Sequence, residues 1–227
     1  MPRLLAIDTS TEACSVALYD GASMRERCIN APREHAQRLL PMIDAVLAEC
    51  GCMLRDIDAI AFARGPGSFT GLRICLGVVQ GLAYGAQLPV LPVSTLAALA
   101  QSAVASQFPQ GTYICSAIDA RMDEIYCGWF RVGSDGLVAA VNTEMVCAPE
   151  RLPLIDTANN ACYGVGSGWR YVERMPKLAA TLDAELLPRA GAVAQLALPL
   201  WNAGMRLSAA EAQPVYLRNE VAWTKNS

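Results

Sequence analysis

Two aspartates stand where a carboxylate could do chemistry. Asp8 closes the apolar run Leu4-Leu5-Ala6-Ile7 and is followed by Thr9, Ser10 and Thr11; Asp119 closes Tyr113 to Ile118 and is followed by Ala120 and Arg121. Two strand-end carboxylates facing one cleft would suit nucleotide chemistry by orienting a metal-bound phosphate or a water, whereas each alone can simply cap a turn. A second candidate is the run Gly65-Pro66-Gly67-Ser68-Phe69-Thr70-Gly71-Leu72-Arg73. Its glycines permit close backbone approach, and Ser68 can cap a following helix while leaving amides to meet an anion. The run is neither a P-loop, lacking Gly-Lys-Ser/Thr, nor a dinucleotide fingerprint. It reads equally as a phosphate or partner contact and as a tight strand-to-helix turn.

The other chemistry-bearing residues are few. His35 is the only histidine, so no site with two histidine ligands can form, and a peptidase triad would have to recruit this one residue; its place at a helix start suits a cap or an interface. Lys177 and Lys225 are the only lysines and lie in no motif. The nine cysteines are odd in number, and no secretory signal precedes the first strand, so they read as reduced, buried small hydrophobes. Cys50 and Cys52 lack a second close pair to complete a zinc site.

The elements that position these residues follow from periodicity. Residues 3 to 7, 14 to 19 and 24 to 30 read as three strands, with a tight turn at Asp20-Gly21. Ala36, Leu39, Leu40, Ile43, Val46, Leu47 and Cys50 then recur at three and four, predicting an amphipathic helix that contains Pro41 and ends at Gly51. Strand Ile57 to Ala63, helix Phe69 to Gly85, strand Val90 to Val93 and a helix capped by Ser94 or Thr95 complete a first unit near residue 106. Within the helix from Phe69, Gly77, Gly81 and Gly85 recur every four residues, each costing ~1 kcal/mol against alanine. A glycine ridge lets another helix approach closely, flanked by Ile74, Val78 and Leu82; the partner is either this chain's own helix or sheet, or another subunit.

From Tyr113 the opening pattern returns: strand, Asp119, an alternating strand from Glu124 to Val132 and a turn at Asp135-Gly136. Aligning Ile7-Asp8-Thr9 with Ile118-Asp119-Ala120 suggests a duplicated unit, with a mixed sheet carrying packed helices in each half. The second half is less regular, with Gly164, Gly166 and Gly168 in one loop and a helix over Ala190 to Trp201. The chain of 227 residues carries 18 Lys plus Arg against 21 Asp plus Glu and is 53% hydrophobic. It can bury a large core, and its net charge of −3 gives no basic field for autonomous nucleic-acid binding. No apolar run reaches the ~20 residues that cross a bilayer, and the expectation is a cytoplasmic protein without membrane contact.

Taken together, Ile7 to Thr11, Gly65 to Arg73, Asp119-Ala120-Arg121 and, near the end, Pro214-Val215-Tyr216-Leu217-Arg218 resemble the TsaB family, also called YeaZ. That resemblance implies an α/β fold of the actin, sugar-kinase and heat-shock-ATPase type, with an N-terminal domain over residues 1–108 and a reduced C-terminal domain over 109–227. It implies work in making threonylcarbamoyladenosine at the anticodon-adjacent adenosine of tRNA, as a non-catalytic scaffold and activator rather than an enzyme. The implied partners are the catalytic paralogue TsaD, the ATPase TsaE, a second copy when the chain is alone, and tRNA through the complex. TsaD binds its metal through His-x-x-x-His; here His35 is followed four residues on by Leu39, so no metal site is expected. The superfold's first phosphate loop reads Asp-x-Gly-Thr/Ser, against Asp8-Thr9-Ser10-Thr11 here, so no cofactor is expected to bind firmly to this chain alone, and ATP or ADP with Mg would sit at the interface of the complex. The implied partner surface comprises Leu39, Leu40, Ile43, Val46, Ile74, Gly77, Val78, Gly81, Leu82 and Gly85. The residues left for a nucleotide or phosphate contact are Asp8, Thr9, Ser10, Gly65, Gly67, Ser68, Asp119 and Arg121. The alternative is an autonomous nucleotide-binding phosphotransferase or ATPase of the sugar-kinase type.

Overall fold

The computed structural model describes residues 1–104, 108–157, 160–178 and 181–218. The expected end of the first unit near residue 106, and Lys225, lie outside the described residues. Five strands, β1 (Leu4–Asp8), β2 (Ala13–Tyr19), β3 (Met24–Asn30), β4 (Ala59–Ala63) and β5 (Val90–Val93), form a sheet in the order β3-β2-β1-β4-β5. The first three pair antiparallel; β4 and β5 join parallel, which the intervening helices α1 (His35–Glu49) and α2 (Phe69–Ala86) permit. Helix α3 (Thr95–Val104) follows β5, capped by Ser94 Oγ, which accepts the Ala97 N–H at 3.1 Å.

The second sheet repeats the first. Strands β6 (Tyr113–Arg121), β7 (Glu124–Val132), β8 (Val138–Ala140), β10 (Cys162–Val165) and β11 (Thr181–Asp183) run β11-β10-β6-β7-β8, and β9 (Met145–Cys147) pairs with β7. Again the first pairings are antiparallel, while β10 and β11 join parallel. The duplication is thus visible in strand order and direction. Its reduction is equally concrete: a short 3-10 helix, Ser167–Arg174, stands after β10 where α2 stands after β4, and between β8 and β10 only β9 and a three-residue helical turn replace α1.

Strand alternation divides the first core between two faces. Leu5 and Ile7 face α1 and α2, meeting Leu39, Ile43, Val46, Cys75 and Val79. Leu4 and Ala6 face the other way, against α4 (Ala190–Asn202), whose Ala190, Ala194 and Ala197 meet Ala17, Ala59 and Ala61. Small side chains on both partners let this helix lie close to the sheet. Helix α3, although it follows the first sheet, packs on the second through Leu96, Leu99 and Ala103 against Ile114, Ile118 and Phe130. The helices after each fifth strand are exchanged between the sheets, and α3 and α4 pack on one another in the middle. Pro41 and Pro199 both lie inside helices that continue past them.

Candidate functional site

The two strand-end aspartates make the same local bond. Asp8 Oδ1 accepts the Ser10 N–H at 2.7 Å, and Asp119 Oδ1 accepts the Arg121 N–H at 2.8 Å, the side-chain-to-backbone turn that aspartate favours. Their surroundings differ. Asp8 is 1% exposed, and burial pushes its carboxyl up to about 6, against the lowering effect of the bond from the Ser10 N–H. Its Oδ2 and the Ser10 hydroxyl are buried without a hydrogen-bond partner. Asp119 remains partly open and holds Arg121 Nη1 at 3.1 Å, while its own N–H donates to Ser167 Oγ at 3.1 Å.

The glycine run closes on the turn that follows Asp8. The Ser68 N–H donates to Ser10 O at 2.7 Å, and Thr9 Oγ1 donates to Gly71 O at 2.8 Å. A Cβ on Gly67 would lie 2.4 Å from Ser10 O, and one on Gly71 2.0 Å from Thr9 O. Gly65, at φ +108°, lies where a Cβ would meet Val215 O at 2.7 Å. These glycines therefore exist for close backbone approach within the chain. Ser68 caps α2 as expected, its Oγ accepting the Gly71 N–H at 3.2 Å. The start of α2 therefore fills the space over the Thr9-Ser10 turn. Asp8 and Thr9, assigned above to a phosphate contact, are sealed at 1% and 0% exposure.

A cleft of about 850 Å³ opens beside this seal, lined by Ser10, Gly67, Ser68, Asp119, Arg121 and Arg170 among others. Sequence reasoning missed Arg33 and Arg170 as lining residues, and Arg218 only marked the C-terminal motif; four arginines line the cleft. Three are held by carboxylates: Arg121 by Asp119, with Glu12 at 4.0 Å, Arg170 by Glu185 at 3.0 Å, and Arg218 by Glu124. Arg33 sits at φ +69° with no carboxylate on it among the described residues.

His35 lines the same cleft, buried, with Nε2 3.2 Å from Ala13 O. Among the described residues no serine or cysteine side chain bonds to it, so no peptidase pair is assembled. Leu39, four residues on, is in the core. Gly164 lies in β10 rather than in a loop, and its missing Cβ makes room for Trp169 at 2.3 Å; Gly166 and Gly168 lie against Ala117 of β6. Gly164 makes room for the second sheet's outer layer, and Gly166 also meets Leu99 of α3 on the opposite face. Among the described residues no three His, Cys, Asp or Glu side chains converge as a metal site.

The helix pair is the other candidate. Leu39, Ile43 and Val46, assigned to a partner surface, are instead core residues beneath it, because the apolar stripe of an amphipathic helix turns first to its own sheet. Leu40 faces solvent. On α2, Leu72, Cys75, Val79 and Ala83 point inward, Ile74, Val78 and Leu82 are half-buried, and Gly77, Gly81 and Gly85 are exposed with no atom within 4 Å of a Cβ position. The ridge is thus free of this chain's own helices and sheet. Tyr84 beside it is 83% exposed. By length and composition α2 would pass for a membrane span, with a mean hydropathy of 1.2 over 18 residues; its inner face is committed to the core.

Comparison with known proteins places the chain. Residues 29–220 match the family model described as TsaD, tRNA N6-adenosine threonylcarbamoyltransferase. The chain is 42% identical to the tRNA threonylcarbamoyladenosine biosynthesis protein TsaB of Escherichia coli, over 98% of this chain and 97% of that one. To the protein of the same name from Haemophilus influenzae it is 43% identical, over 98% and 96%. The crystal structure of YeaZ from Pseudomonas aeruginosa superposes with a TM-score of 0.91 at 49% identity, covering 96% of this chain and all of the other. On this near-full-length likeness, the chain belongs to the TsaB (YeaZ) family of tRNA threonylcarbamoyladenosine biosynthesis proteins.

Proposed function

We propose that this chain is a non-catalytic scaffold and activator in tRNA threonylcarbamoyladenosine formation, docking the outer face of α1 and α2 on the catalytic paralogue TsaD. The observation that carries the reading is the glycine ridge. Gly77, Gly81 and Gly85 each weaken α2 by ~1 kcal/mol relative to alanine, and among the described residues no other element comes within 4 Å of a Cβ placed there to offset that cost. A partner helix seated along the ridge, between Leu40, Ile74, Val78 and Leu82 and the exposed Tyr84, would offset it by close packing. The same face holds a second copy when TsaD is absent, so homodimer and heterodimer compete. The seal over Asp8 and Thr9 supports leaving catalysis and nucleotide to other chains: ATP or ADP with Mg sits at the interface of the complex, TsaE supplies the ATPase, and tRNA is met through the assembly.

Gly81→Arg tests this. The variant is expected to fold as the parent does, by circular dichroism, because its side chain enters open space. It should fail to co-purify with TsaD, and threonylcarbamoyl transfer to tRNA should fall by at least tenfold in a reconstitution that needs both chains. Unchanged co-purification and transfer would overturn the reading. Micromolar binding of Mg-ATP to the isolated chain, abolished by Asp8→Ala, would favour the phosphotransferase alternative instead.

A further inference from the structure

All nine cysteines are free, and four of them, Cys115, Cys127, Cys147 and Cys162, belong to one apolar cluster with Trp129 and Trp169 on the outer face of the second sheet. Among the described residues the one thiol-to-thiol hydrogen bond is between Cys127 and Cys147, with Sγ atoms 3.7 Å apart. In the β7–β9 ladder Cys127 lies opposite Met145 and Cys147 opposite Ile125, so the two sulfurs are diagonal neighbours on one face. Cys50 and Cys52, closer in sequence, make no such contact: the Cys52 thiol donates to Cys50 O. The pair is asymmetric. Cys127 is 1% exposed on the inner strand, whereas Cys147 is half-buried on a three-residue edge strand. Burial raises both thiols; at Cys147 the bond from the Cys127 S–H lowers it, Glu124 raises it and the Arg151 guanidinium lowers it, and the net shift stays upward.

We propose that Cys127 and Cys147 form a reversible disulfide when the folded chain meets hydrogen peroxide, with Cys147 as the attacking sulfur and Cys127 as the resolving one. The Cys147 thiolate attacks the peroxide oxygen and the O–O bond breaks. Hydroxide leaves and takes up the thiol proton as water, giving a sulfenic acid. The Cys127 sulfur then displaces the sulfenic hydroxyl, the S–O bond breaks, the S–S bond forms, and a second water carries away the Cys127 proton. Two thiols lose two electrons in all, and one peroxide is reduced to two waters. Bonding requires the sulfurs to close from 3.7 Å to about 2.05 Å, a movement that a short edge strand can make. The product pins β9 to β7. It also fastens Glu144, just ahead of β9, which accepts a hydrogen bond from Ser94 Oγ at the start of α3.

The test uses the full chain treated with hydrogen peroxide under native conditions, alkylated, digested without reductant and read by mass spectrometry. The expected product is a Cys127–Cys147 linked peptide pair, lighter by two hydrogen atoms and restored by dithiothreitol, with a gain of several degrees in Tm and a drop in tryptophan fluorescence from nearby Trp129. Cys127→Ser, which keeps the packing volume, should abolish the link and leave Cys147 as a sulfenic acid that dimedone traps. Cys147→Ser should leave Cys127 unmodified. If both thiols stay alkylatable after the exposed Cys28 has been fully oxidised, or if Cys147 couples to another cysteine, the proposal fails.

Discussion

Glycine to alanine at two places in α2 should move stability in opposite directions. At Gly71 the added Cβ would lie 2.0 Å from Thr9 O, a backbone atom, so the first turn of α2 must retreat by about 1 Å to restore a tolerable contact. That retreat stretches the Ser68 N–H to Ser10 O bond and the Thr9 Oγ1 to Gly71 O bond, now 2.7 and 2.8 Å, beyond useful length. Two lost bonds cost about 1 kcal/mol each, and overpacking adds roughly 1–3 kcal/mol. The better helix propensity of alanine returns about 1 kcal/mol. The net is a loss of about 2–4 kcal/mol, or roughly 5–15 °C in Tm for a chain of this size. At Gly81 nothing lies within 4 Å of the new Cβ, so only the propensity gain remains, about 1 kcal/mol of stabilisation. Urea titrations followed by circular dichroism, at protein concentrations spanning tenfold so that self-association is seen, measure both. A Gly71→Ala chain as stable as the parent would refute the view that this glycine exists for close approach to Thr9.

Asp8→Asn should be stabilising at neutral pH. With its carboxyl raised by burial from 3.8 to about 6, the native state carries no penalty below the unfolded value; stability falls as pH rises from about 4 to about 6, and the full penalty, about 3 kcal/mol, holds above it. The stability difference between variant and parent, measured from pH 4 to 8, should therefore grow from pH 4 to about 6 and then level off; a difference flat from pH 4 to 6 would count against the buried, ionising carboxyl. Trp169→Ala removes a buried ring whose indole N–H donates to Cys115 O at 3.0 Å and should cost about 3–5 kcal/mol in chemical denaturation, whereas a cost under 1 kcal/mol would mean the outer layer of the second sheet adds little.

Much of this was legible in the residues because local chemistry and tertiary role agree. Ser68 followed by an apolar run gave the cap and helix, the 3.6 period from Ala36 gave α1, and the return of the strand-Asp pattern at Asp119 gave the duplication. Where they diverge, the sequence could not arbitrate. Leu39, Ile43 and Val46 form an apolar stripe whether they meet a partner or their own sheet. Glycines 67 and 71 look alike whether they leave room for a phosphate or for Thr9 and Ser10 carbonyls; only the observed approach separates the two. Gly164 was read as loop because a strand glycine is uncommon, and its reason, the ring of Trp169, lies in the next element. The arginines Arg33 and Arg170 have no motif; the fold alone gathers them at the cleft.

The exchange of α3 and α4 between the sheets also bears on how the molecule comes into being. The inner face of the first sheet, with Ala6, Ala17 and Ala61, is covered by a helix that begins at Ala190. A nascent chain that has emerged only as far as α3 holds five strands with one oily side bare, and α3 itself has nothing yet to rest on. Neither half can be finished before the other is made. Severed halves should therefore be insoluble when produced alone and recover when produced together, and the intact chain should melt in one step, because the two sheets share a single seam of helices that opens all at once.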